Sequence, residues 1–194
     1  MITTEQIKEL RDATGVSVMQ VKKALEDAGG DREKALALLR KKSKDIADKK
    51  SDRTLAAGSV AAYVHANGTV GTLVELLAET DFVANNQEFK DLARNIAMHA
   101  AATNPEFVHA SDISEEVRNK AKELFVDEVK GKPEELQQKI LDGKLNAYFA
   151  ERVLLEQPYI KNPDMTVNGL IDQAIQKFGE KIDIGRLARF SITQ

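Results

Sequence analysis

Few side chains in this chain are suited to covalent chemistry, and their spacing argues against most reactions. There are three histidines, His65, His99 and His109, and no cysteine. Without cysteine there is no disulfide framework, no thiolate nucleophile and no cysteine zinc site. The histidines do not stand at metal-ligand spacing, and no carboxylate motif converges on them. His65 falls in an expected strand and His99 on an expected helix, so structural or surface roles suit them better. Gly15, Gly29 and Gly30 do not form a phosphate-cradling G-x-x-x-x-G-K-[ST] loop, and Gly179 closes a helix instead of opening one. No serine sits in a nucleophile elbow. Aspartate and glutamate number 31, yet nothing isolates an acid–base pair among them. No catalytic residue, metal or cofactor is therefore expected.

Composition narrows the partners. Hydrophobic residues at 42% and charged residues at 30% suit a soluble globular chain with enough apolar surface for a core. A net charge of −3 gives no electrostatic reason to expect nucleic acid, because phosphate binding needs clustered Lys and Arg. The first residues, Met1-Ile2-Thr3-Thr4-Glu5-Gln6, lack a basic lead and an apolar stretch, so no signal peptide is expected. No apolar run approaches the roughly 18 residues that a membrane span needs. A cytoplasmic protein without a membrane partner is the expectation.

The elements that would position any site begin with three short helices. Thr4 is a plausible N-cap for the first, Ile7 and Leu10 share a face, and Gly15 ends it in the left-handed conformation. The second carries Val18, Val21, Ala24 and Leu25 up to Gly29-Gly30, and Asp31 caps the third, with Ala35, Leu36, Leu38 and Leu39 on its apolar side. Residues 1–42 thus read as a three-helix module. Positions 43–56 read as a charged linker, either solvated or loosely helical, with Lys44, Lys49 and Lys50 interleaved with Asp45, Asp48 and Asp52.

Residues 57–194 change texture. Ser59–Ala66 and Thr69–Leu77 are rich in Val, Thr and Tyr and flank Asn67-Gly68, a strong hairpin signal in which both turn residues tolerate positive φ. A helix with Phe89, Leu92, Ile96 and Ala100 on one stripe follows, opened by Asn85 with Glu88 and stopped by Asn104-Pro105. Ser114 caps a charged helix expected to reach Lys130. Lys132-Pro133 opens another that ends near Gly143, and Lys144–Gln157 forms a further one, halted by Pro158. Thr166 opens the last helix, closed by Gly179, and Ile182–Ile192 alternates well enough to be a strand returning to the hairpin. The fold class is α+β, an antiparallel sheet with helices on one face.

Two passages resemble elongation factor Ts. One is Lys8-Glu9-Leu10-Arg11-Asp12-Ala13-Thr14-Gly15, continuing through Lys22-Lys23-Ala24-Leu25 to Gly30-Asp31. The other is Glu79-Thr80-Asp81-Phe82-Val83-Ala84, followed by Phe89 and Ala97-Met98-His99, with Gly179-Glu180-Lys181-Ile182 and Arg189-Phe190 closing the pattern. The resemblance spans nearly the whole chain and is to the short form of the family, with a single core subdomain. The chain departs from it at Ser17, Val18 and Gln20, where glycine, methionine and aspartate are usual. Gly185 and Leu187 likewise stand for an arginine and a phenylalanine.

The resemblance implies a guanine-nucleotide exchange factor, not a conventional enzyme, whose partner is elongation factor Tu. The N-terminal module resembles a ubiquitin-associated fold and would dock on the GTPase through Leu10, Arg11 and Met19, with core packing as the equal alternative for Leu10. Thr80, Asp81, Phe82 and Val83 would form the wedge, Asp81-Phe82 entering near the nucleotide's magnesium site. Plugging its own core is the competing role for Phe82, since isolated phenylalanines are usually buried. Short-form relatives commonly pair, so a homodimer is also implied. Two other classes stay open: a ubiquitin-associated-like adaptor that binds a peptide or small protein, and a small α+β enzyme with carboxylate chemistry.

Overall fold

The computed structural model describes residues 2–131 and 133–192. Its chain begins with helices α1 (Thr4–Thr14), α2 (Val18–Asp27) and α3 (Arg32–Lys49), followed by strands β1 (Ala57–Val64) and β2 (Val70–Ala78). A short helix α4 (Asp81–Ala84) leads into the long α5 (Gln87–Thr103), then α6 (Glu115–Glu123), α7 (Val126–Val129) and α8 (Glu134–Ala150). A small ribbon of β3 (Pro158–Tyr159) and β4 (Asn162–Thr166) precedes α9 (Val167–Phe178), and β5 (Ile182–Ser191) closes the fold. The main sheet is antiparallel in the order β1-β2-β5, which is the expected α+β arrangement.

Local chemistry explains most boundaries. Thr3, one residue earlier than expected, caps α1 and shares a reciprocal capping box with Gln6, while Gly15 ends the helix at φ 67°. Ser17, Asp31, Ser114 and Thr166 each accept a backbone N–H in the first turn of the following helix. Asn86, not Asn85, caps α5.

Several expectations need correction. At Asn67-Gly68 only the glycine takes positive φ. The Gly68 N–H reaches His65 O, and Asn67 Oδ1 accepts from the Thr69 N–H. The hairpin loop therefore runs longer than a two-residue turn. The expected break at Gly143 does not occur. Helix α8 passes through it, because an exposed glycine costs a helix only about 1 kcal/mol, and Leu141 and Phe149 are buried on either side. The charged helix after Ser114 instead breaks at Leu124-Phe125 into α6 and α7. Lys132, expected to open the next helix, lies outside the described residues.

Positions 43–49 are a regular continuation of α3, not a loose connector. Leu39 and Ser43 are buried, and Ile46 and Ala47 pack against the main core, so one stripe of α3 is covered while its lysines face water. Two apolar clusters meet along this helix. Leu10, Val16, Val21, Ala24, Leu25, Ala35 and Leu39 close the first, among α1–α3. The second lies between one face of the sheet and α5 and α9, with Val74, Leu76, Phe89, Ile96, Ile171, Ile175 and Ile184 inside it. Each such side chain contributes about 1.5–3 kcal/mol by leaving water. Ser43 Oγ hydrogen-bonds Gln176 Oε1, and Gln176 Nε2 donates to Gln20 Oε1 at 2.8 Å, so α2, α3 and α9 share one polar chain, buried at Ser43 and Gln176 and part-buried at Gln20.

Among the described residues, no helix covers the other face of the sheet. Val60, Val64, Leu73 and Phe190 project there, all exposed, and the Glu75–Arg186 pair crosses it at 2.9 Å. The two hydrogen bonds from Arg186 outweigh partial desolvation and hold Glu75 below the usual carboxylate range. Gly185 sits opposite the register shift at Glu75/Leu76. A Cβ at that position would lie 2.5 Å from Glu75 Oε2, so glycine there makes room for the pair.

A candidate partner-binding wedge

Strand β2 ends at Ala78, and Glu79 and Thr80 turn the chain into α4. Thr80 is extended at φ −129°, and its Oγ1 accepts from the Val83 N–H as an N-cap. This turn sets neighbouring side chains on opposite sides. Val83 and Ala84 enter the main core, with Val83 only 3% exposed, whereas Phe82 is 85% exposed beside an exposed Asp81. A phenyl ring left that far in water makes little contact with its own protein, so Phe82 does not plug the core. Val83, expected within the wedge, instead anchors the turn that carries it.

The turn is fastened to the start of β5. The Thr80 N–H donates to Glu180 Oε2 at 3.0 Å, and the Thr80 hydroxyl donates to Glu180 Oε1 at 2.6 Å. In the reverse direction, the Lys181 N–H donates to Glu79 Oε1. The Arg53 guanidinium donates to both Glu79 oxygens, at 3.0 and 3.2 Å. Burial opposes the charge on Glu79, but the Lys181 N–H and Arg53 outweigh it and hold its pKa below the ordinary value. Lys181 Nζ reaches the carbonyls of Ser51 and Arg53, and Lys50 Nζ reaches Gly179 O. The exits of β2, α3 and α9 therefore meet at one polar knot.

The expected docking residues divide in the same way. Leu10 is buried at 1% exposure, inside the first cluster, so its side chain is a core residue of α1. Arg11 is exposed one position on, and Met19 projects from α2 at 76% exposure, next to half-exposed Val18.

Two of the histidines are held by partners within the fold. His99 is fully buried on α5, with Nε2 2.9 Å from Gln157 Oε1 and Nδ1 accepting from the Ile160 N–H; burial lowers its pKa. His109 Nε2 lies 2.8 Å from Asp183 Oδ1, and its backbone N–H donates to Asp112. Its pKa is raised, chiefly by the hydrogen bond to Asp183. Among the described residues no group of three or more His, Cys, Asp or Glu is placed to hold a metal ion, and no helix is long and apolar enough to cross a membrane.

An exposed phenyl ring on a capped turn, a three-helix cluster ahead of it and a sheet closed by the last strand together characterise the fold. The family model for Elongation factor TS matches residues 37–194. The chain belongs to the elongation factor Ts family. Elongation factor Ts of Carboxydothermus hydrogenoformans is 47% identical over 194 residues, covering 99% of this chain and 89% of the relative. That of Thermodesulfovibrio yellowstonii is 44% identical, covering 100% and 97%. That of Thermotoga petrophila is 46% identical over 191 residues, covering 98% and 96%. The chain is thus similar to translation elongation factors along their length, including the first 36 positions that precede the family match.

Sequence reading alone did not single out Glu79, Glu180, Lys181 and Arg53 as a group. The available signal was that β2 and β5 pair, so Glu79 and Glu180 flank neighbouring strand ends.

Proposed function

We propose that this chain promotes release of GDP from elongation factor Tu, inserting Asp81-Phe82 near the nucleotide and its magnesium. The observation that carries this reading is the exposed Phe82 ring on a turn whose next residue is locked in the core. Burying such a ring on a partner is worth about 1.5–3 kcal/mol. Family membership supports the assignment to translation elongation.

The mechanism is thermodynamic linkage. If this chain and GDP–magnesium favour different conformations of the GTPase, each weakens the other by the same factor. Release accelerates, GTP rebinds, and the factor is displaced. No bond forms or breaks, so the chain acts as an exchange catalyst without a cofactor of its own. In this scheme residues 1–42 dock on the GTPase through Arg11 and Met19, residues 57–194 carry the wedge, and residues 43–56 connect them. The partner is a protein rather than nucleic acid or membrane, and the site of action is the cytoplasm.

A second copy of the chain is the proposed occupant of the open sheet face. Val60, Val64, Leu73 and Phe190 form an apolar patch that a two-fold partner presenting the same patch would cover. The ubiquitin-associated-like adaptor remains the competing reading, and it predicts that deleting residues 1–42 abolishes all binding.

The deciding experiment measures release of a fluorescent GDP analogue from the cognate elongation factor Tu. Acceleration by wild type that falls sharply in Phe82→Ala is the expected result. No acceleration by wild type with an authentic partner would refute the reading.

A further inference from the structure

The N-cap of α4 lacks half of its usual chemistry. A capping box needs a Glu or Gln at the third helical position to return a hydrogen bond to the N-cap backbone N–H. After Thr80 that position is Val83, which is buried in the core and has no acceptor. The Thr80 N–H would be left without a protein partner were it not for Glu180, whose carboxylate lies 100 positions away in the chain.

We propose that Glu180 is a positioning residue for the wedge, completing from a distant segment the capping box that the wedge's own sequence cannot complete. One carboxylate oxygen takes the Thr80 N–H at 3.0 Å and the other takes the Thr80 hydroxyl at 2.6 Å. The second contact has a further effect. A hydroxyl that donates its only proton to Glu180 must turn a lone pair elsewhere, and here Oγ1 accepts from the Val83 N–H. Donation to a charged acceptor polarises the hydroxyl, and hydrogen bonds in series reinforce one another. Glu180 thus acts through Thr80 on the α4 backbone that carries Phe82.

The arrangement is crossed. Glu180 holds the N–H of Thr80, while Glu79 holds the N–H of Lys181. Two residues at the exit of β2 and two at the approach to β5 therefore grip each other beyond the last paired positions, Ala78 and Ile182. Arg53 pairs with Glu79, while Lys50 and Lys181 reach the backbone carbonyls of Gly179, Ser51 and Arg53 beside it. A turn made rigid in this way presents Phe82 with less backbone freedom left to lose on binding.

The functional consequence rests on the exchange reading, so the test has one arm that does not. In the full chain, amide hydrogen exchange is measured at Val83, Ala84 and Asn85, with Leu76 and Ile184 as sheet controls. Glu180→Ala is expected to speed exchange at the three α4 amides about tenfold and leave the controls unchanged. Glu180→Gln, which retains one acceptor, falls between. Thr80→Val with Glu180→Ala is expected to be no worse than the sum of the single effects and closer to the larger one, because both act on one chain of bonds. In the second arm, nucleotide release from elongation factor Tu is followed against factor concentration. Glu180→Ala is expected to lower the saturating rate about tenfold with little change in half-saturating concentration, and Glu180→Gln to recover part of it. Unchanged α4 amides, or equal loosening of the sheet controls, would overturn the positioning role whatever the kinetics show. Loosened amides with an unchanged saturating rate, in an assay where wild type is active, would overturn its link to exchange. Inactive wild type would sink the exchange reading alone, and the amide arm would still decide whether Glu180 completes the cap.

Discussion

Truncating Phe82 to alanine removes a ring that touches little of its own protein, and that separates two explanations of its presence. At 85% exposure the ring contributes little to folding, so Phe82→Ala should change stability by no more than about 0.5 kcal/mol. For a chain of this size that is at most about 2 °C in Tm. If the ring is buried on the GTPase in the nucleotide-free complex, the variant forfeits about 1.5–3 kcal/mol of coupling. At roughly 1.4 kcal/mol per tenfold, that is a loss of between about tenfold and 150-fold in acceleration of GDP release. Val83→Ala is the control from the adjacent position. It deletes two buried methyl-sized groups worth about 1.6 kcal/mol before any cavity cost, so its Tm should fall by roughly 3–6 °C. Stopped-flow release of a fluorescent GDP analogue and calorimetric melting of both variants provide the comparison. A Phe82→Ala variant that melts many degrees lower, or one that keeps full exchange, would show the geometric reasoning to be wrong.

Other outcomes follow from the same structure. Arg11→Ala and Met19→Ala should each raise the half-saturating concentration about fivefold with the saturating rate preserved, in a titration of release rate against factor. Leu10→Ala should instead destabilise the fold by about 2–5 kcal/mol, because its side chain is enclosed. Light scattering should give wild type the mass of two chains and the double variant Val60→Lys/Phe190→Lys the mass of one; a single-chain mass for wild type would remove the sheet-face dimer. His109 adds a pH dependence. Its folded pKa is raised by Asp183, so its stabilisation is complete below its unfolded value of about 6.5 and fades as pH rises through the folded value. The Tm difference between wild type and His109→Gln should therefore be larger near pH 5.5 than near pH 8.5, to be read by melting across that range.

What was legible in the sequence was mostly local chemistry. Gly15, Asp31, Ser114, Thr166 and Gly179 stand at or beside the helix ends they were expected to mark, since caps are decided within a few residues. The hairpin and the returning strand were legible because alternation survives in β1, β2 and β5. The extension of α3 was not. Its covered stripe includes Ser43, a polar residue whose hydroxyl is satisfied by Gln176 from another helix, and periodicity of apolar residues does not register a serine. At the site, no period distinguishes Phe82 from Val83 on a four-residue helix. Only the packing of the turn against the core decides which faces out. Glu180 and Thr80 are joined across 100 positions, and such a contact exists only once β5 has returned beside β2.

The continuity of α3 bears on how docking could become force at the nucleotide. Its 18 residues span about 27 Å, running from the three-helix cluster to the knot beneath the wedge. Past its end, Ser51 and Arg53 are tied by their carbonyls to Lys181, and Arg53 is tied by its side chain to Glu79. A flexible connector of the same length would let the wedge wander after the first contact, and its ordering would subtract from the affinity. A packed helix fixes the separation beforehand, so binding at Arg11 and Met19 would place Phe82 at a set distance and orientation from the GTPase. Under the proposed exchange function, the energy of the first contact would then be available for opening the nucleotide site, as linkage requires of any factor that weakens GDP binding.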